Sequence, residues 1–100
     1  MPDINTLILL AFTYTAGNVT IHWSGPTHNI DGSAISSPLT YNIYRTINNG
    51  SQVEVRKNWA SERITVPETL LRGDRDCYYI SAIENEIEST QLELSCVEKP

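Results

Sequence analysis

Ile, Val and Thr make up 26 of the 100 residues, whereas Leu and Ala together make up 13. Branched side chains crowd a helical turn and fit a pleated strand, so this bias constrains the fold more than any other feature of the chain. Ser, Thr and Asn add a further turn-and-surface vocabulary, 27 residues in all with Thr counted again. Apolar residues form 40% of the chain, enough for one core, and this length is typical of one domain. A single all-β domain spanning 1–100 is expected, with residues 1–5 as an N-terminal arm ahead of the first strand.

Alternation and turn residues divide the chain. Leu7 to Thr13 is the first strand signal, and Ala16-Gly17-Asn18 turns it into Val19 to Trp23. There Val19, Ile21 and Trp23 share one face and Thr20 and His22 the other. A long loop, Ser24 to Pro38, carries Gly25-Pro26 and Asp31-Gly32. Tyr41 to Ile47 and Gln52 to Arg56 flank Asn48-Asn49-Gly50, where an Asn-Gly pair predicts a tight hairpin. Glu62 to Val66, Cys77 to Ile83 and Thr90 to Val97 complete seven strands at intervals of about ten residues. That spacing predicts a seven-stranded antiparallel β-sandwich.

Charge and hydropathy exclude several classes of function. Twelve acidic residues against seven basic give a net charge of −5, unlike the basic face that nucleic acid requires. The longest apolar run, Leu7 to Phe12, is six residues, far short of the roughly 20 a membrane helix needs. Met1-Pro2-Asp3 does not resemble a signal peptide, so synthesis in a host cytoplasm without export is expected. Cys77 and Cys96 stand 19 residues apart, leaving a disulfide, two thiols or half a metal site open. A metal would need more ligands than His22 and His28 supply, so no metal is expected.

Nothing in the sequence assembles a reaction. His22 alternates with the apolar face and His28 sits alone in the long loop. No nucleophile-elbow, zinc-protease or phosphate-loop motif occurs. Glu84, Glu86 and Glu88 recur every second residue, which on an extended chain places them on one side as a solvated acidic loop. Arg72-Gly73-Asp74 reads as a turn, and the acceptor sequences at Asn18 and Asn49 are expected to stay bare. The chain is not expected to be an enzyme or to carry a cofactor.

Three segments carry a family likeness. Gly17-Asn18-Val19-Thr20-Ile21-His22-Trp23 resembles the second strand of a fibronectin type III domain with its buried Trp. Tyr41-Asn42-Ile43-Tyr44-Arg45 resembles the third strand, in the form common in bacterial and phage members. Cys77 to Ile83, followed by Glu88-Ser89, resembles the sixth strand and the approach to the seventh. The likeness spans about residues 5 to 98 and implies two packed antiparallel sheets of immunoglobulin-like type, with both cysteines on adjacent final strands. The chain departs from the family pattern at Asp76, where a Tyr is usual, and after Ile83, where a Gly is usual.

In this fold the loop after Trp23 and the loop after Ile83 emerge at one end, bringing Ile30, Ile35 and Ile87 together either as an exposed interaction patch or, with the long loop folded back over them, as a satellite apolar cluster. Charge is also uneven: Arg45, Arg56, Lys57, Arg63, Arg72 and Arg75 lie mid-chain, while residues 76–100 sum to −5. Two readings stand: ends of opposite sign, suited to docking on a charged lattice, and ordinary surface scatter, which is the expected one. A single short domain of this kind resembles accessory virion proteins of tailed bacteriophages. The resemblance implies a non-enzymatic structural module that decorates a capsid or tail, partnered by the major capsid or tail protein lattice or by copies of itself. The competing expectation is a carbohydrate- or cell-surface-binding module from a larger secreted protein, using Trp59 and Tyr44 to stack on a host-surface glycan.

Overall fold

Among residues 1–99, which the computed structural model describes, eight strands follow a short 3-10 turn at Ile4–Thr6. They are β1 (Ile8–Thr15), β2 (Asn18–Ser24), β3 (Thr40–Ile47), β4 (Gln52–Trp59), β5 (Arg63–Pro67), β6 (Arg75–Glu84), β7 (Ile87–Glu88) and β8 (Leu92–Glu98). One sheet has the order β1-β2-β5; the other has β4-β3-β6, with both β7 and β8 paired to β6. Every pairing is antiparallel. The result is the expected sandwich, with a short extra strand, β7, ahead of the last predicted one. The Ser89 hydroxyl accepts from the Ala82 amide at 2.9 Å and donates to the Thr90 carbonyl at 2.8 Å. A side chain thus takes a backbone donor there, and the ladder resumes only at Leu92.

The alternating residues of each strand meet between the sheets. Val19, Ile21 and Trp23 from β2 and Ile64 and Val66 from β5 face Tyr41 and Ile43 from β3 and Tyr78, Ile80 and Ala82 from β6. Trp23 packs edge-on to Tyr41 at 5.1 Å between ring centroids, and Phe12 to Tyr78 at 5.7 Å. Each fully buried Val or Ile contributes about 1.5–3 kcal/mol, which makes this interlayer the main source of stability.

Backbone in the left-handed region closes three hairpins: Ala16-Gly17, Asn48-Asn49 and Asn85-Glu86 all have positive φ. The central pair of the β3–β4 turn is therefore Asn48-Asn49, one residue earlier than the Asn-Gly signal suggests, and Gly50 donates to the Ile47 carbonyl at 2.8 Å. After β6, where the usual Gly is absent, Asn85 and Glu86 adopt φ of 51° and 67° instead.

The N-terminal residues do not extend as an arm. Pro2 pairs with Asn29, Asp3 N donates to the His28 carbonyl, and Ile30 N donates to the Met1 carbonyl. Orphan backbone groups of the long β2–β3 loop are thereby satisfied, and Ile4 and Leu7 enter the core. On β6 and β8, Cys77 and Cys96 stand directly opposite each other and their sulfurs are joined in a disulfide.

At the end bearing the β1–β2 and β3–β4 turns, Glu68 is the organising residue. Its backbone N–H donates to the Gly17 carbonyl, and its own carbonyl accepts from the Tyr14 hydroxyl at 3.2 Å. Its carboxylate accepts from Tyr78 at 2.8 Å and lies 3.6 Å from Arg45. Asp76, at the position where the family usually has a Tyr, is buried beside it.

Candidate functional site

The β2–β3 loop and the β6–β7 turn emerge at the opposite end, as the resemblance implies. Glu84 fastens them together: its Oε2 accepts from the backbone amides of Ser36 at 3.2 Å and Ser37 at 3.1 Å. With its amide turned to donate, Asn29 bridges Glu84 Oε1 and the Met1 carbonyl, both at 3.2 Å. A charged acceptor shared by three donors is a strong local clamp. It ties the loop that carries Ile30, 62% exposed and bonded through its amide to the Met1 carbonyl, to the turn that leads into Ile87, 52% exposed. Ile35 is half-buried, its amide bound to the Thr27 carbonyl, and contributes less to this surface.

The three alternate glutamates do not share a side, because the tight turn at Asn85-Glu86 breaks the extended spacing. Glu84 clamps the loop, Glu86 occupies the turn, and Glu88 lies on the outer face of the five-stranded sheet. There Glu88 Oε2 accepts from Asn42 at 3.1 Å, Tyr44 at 2.9 Å and Ser81. Those donors, Ser81 above all, hold its carboxyl below the ordinary carboxylate range. The Asn42 side chain is itself buried, and its Oδ1 accepts from the Asn58 amide at 2.9 Å. Opposite Asn42, β4 carries an extra residue, since Tyr41 pairs with Trp59 but Ile43 with Arg56. Asn58 has φ 53° in this bulge, a conformation Asn tolerates. Beside the bulge lies a cavity of about 420 Å³, lined among others by Lys57, Asn58, Asn85 and Glu88.

Trp59 and Tyr44 do not form an aromatic platform. Trp59 packs against the core and donates its indole N–H to the Arg63 carbonyl at 3.0 Å. Tyr44 lies on the opposite face of β3, held by Glu88. Other sequence candidates resolve as local structure. Asp74 accepts from the Leu71 amide at 2.8 Å and Asn48 at 3.0 Å, so Arg72-Gly73-Asp74 is a closed turn with Gly73 at φ 87°. His28 Nδ1 bonds Thr27 Oγ1 at 2.9 Å, and His22 lies in the sheet between Ala11 and Arg63.

The cations do not gather into one end. Arg45 is paired with Glu68, Arg75 bonds Glu98 at 2.9 Å, and Lys57 lines the cavity near the tip. The Glu84 clamp, the Glu68 hub and the β4 bulge escape sequence reading, because each depends on partners distant in sequence. The positive φ at Asn58 leaves only one weak trace, an Asn near the end of a strand.

No protein-family model matches the chain, and neither does any curated protein. Several solved structures are similar in fold, two of them as follows. A fibronectin type III domain from human KIAA0970 protein superposes with a TM-score of 0.70 at 18% identity, covering 96% of this chain and 74% of that one. The kinase region of twitchin from C. elegans, which includes such a domain, gives 0.68 at 20% identity, over 95% of this chain and 16% of that one. Together with the three-plus-five strand arrangement and the buried Trp23, these likenesses show that the chain has the fold of a fibronectin type III domain.

Proposed function

We propose that this domain is a non-enzymatic docking module, an accessory protein of a tailed-bacteriophage virion that seats its clamped loop end on the capsid or tail lattice. The observation that carries the reading is the tip itself: Ile30 and Ile87 stand exposed on backbone held by Glu84, so little ordering is needed on contact. Asp31 directly follows Ile30 and Glu86 directly precedes Ile87 in the chain, which fits an apolar socket rimmed by Lys or Arg on each lattice subunit. Virion localisation, after synthesis in the host cytoplasm, follows from the same reading.

Replacing Ile30 and Ile87 with Ser removes both anchors while leaving the interlayer core untouched. Each buried Ile is worth about 1.5–3 kcal/mol, so the double variant loses two orders of magnitude or more in lattice affinity. Occupancy on purified particles, with an unchanged thermal midpoint, is the measurement. Undiminished occupancy of the double variant contradicts this mode of docking.

A further inference from the structure

We infer that the cavity between the β4 bulge and the β6–β7 turn is a binding site for a neutral pyranose ring, which adjoins the docking tip through Glu86 but includes neither Ile30 nor Ile87. Its volume of about 420 Å³ falls within the roughly 300–1,000 Å³ typical of small-ligand sites. The lining combines the amides of Asn58 and Asn85 with the carboxylates of Glu86 and Glu88, and Asn42 lies behind them with both its N–H groups already donated to Tyr44 and Glu88. A sugar hydroxyl both donates and accepts, and planar amides and carboxylates answer it in fixed directions. Pro38 and Ile83 add apolar surface for the C–H face of a ring.

Two features organise these groups before a ligand arrives. Asn42, only 4% exposed, is locked by the Asn58 amide, Glu88 and Tyr44. Glu88 is locked through Oε2, and among the described residues its Oε1 has no hydrogen-bond partner. The bulge brings both Lys57 and Asn58 into the lining, which strict alternation along β4 would have prevented. One ammonium faces two carboxylates, a balance that disfavours an anionic sugar and suits an uncharged one. The site has no stacking aromatic in its lining, so affinity on the order of 1 mM is expected.

The test is an amide-resolved NMR titration of the ¹⁵N-labelled full chain with four methyl glycosides: glucoside, galactoside, mannoside and N-acetylglucosaminide. Glucuronate serves as the anionic control. At least one neutral glycoside gives saturable shifts centred on Asn42, Lys57, Asn58 and Asn85, and glucuronate gives none. Lys57→Ala and Glu86→Gly each weaken that binding by tenfold or more, the latter at a positive φ that Gly adopts without strain. Ile30→Ser, which disables the docking tip, leaves the titration unchanged, so the two proposals fail independently. Shifts that never saturate, that centre elsewhere, or that glucuronate reproduces overturn the assignment.

Discussion

A Cβ built on Gly25 would lie 2.1 Å from the Tyr41 hydroxyl oxygen and 2.6 Å from Glu62 Oε2. Glu62 already accepts from both the Gly25 amide and the Tyr41 hydroxyl, and Tyr41 is backed by Trp23, so little can move aside. Gly25→Ala is therefore expected to cost about 1–3 kcal/mol in denaturant unfolding, and less in a Tyr41→Phe background. Glu68 makes a second prediction. Burial, foremost, and the adjoining Asp76 carboxyl raise its pKa above the ordinary 4.5, against the lowering effects of Tyr78 and Arg45. The native state then binds more protons than the unfolded chain across that window. Its contribution is complete below 4.5 and is lost as pH rises through the raised pKa. Unfolding midpoints between pH 4.5 and 7 should therefore fall less for Glu68→Gln than for the native protein. Trp23 and its alternating neighbours are readable as core residues from sequence, because period-two burial is local. Glu68 is not, since a lone acid after Pro67 reads as solvated until Tyr78, Arg45 and Asp76 close around it.

Elements inherit that division between local and distant causes. The strands β2, β3 and β6 follow directly from alternation, and their hairpins from residues that accept positive φ. Departures from regularity do not follow: the extra residue in β4 and the gap between β7 and β8 arise from Asn42 and Ser89 meeting particular backbone amides. Placement of Cys77 and Cys96 on adjacent strands follows from the family resemblance, whereas spacing alone leaves their state open. The bridge spans a sequence separation of 19, and a loop of that size restricts the unfolded chain by about 3 kcal/mol. Replacing both cysteines with Ala should lower stability by about that amount, read from denaturant midpoints under non-reducing conditions. Equal stability of this variant and the native chain would show that the bridge contributes nothing.

For the whole molecule, the sandwich is 45 Å long and 23 Å by 19 Å across, with its two ends built differently. One end is closed by Glu68, buried against Arg45 and Tyr78; the other is clamped by Glu84 and exposes Ile30 and Ile87. Uneven charge along the sequence does not become polarity in space, because β-pairing disperses the cations and Arg45 is drawn into an interior pair. The difference between the ends is instead apolar exposure against buried polar closure, and the proposed docking mode depends on it. The most direct test is sedimentation of the native particle that contains this chain, followed by mass spectrometry of its components. Docking through the clamped tip predicts co-sedimentation in many copies with one abundant lattice-forming protein. A chain that sediments alone, as a soluble monomer of 11.2 kDa, would contradict it.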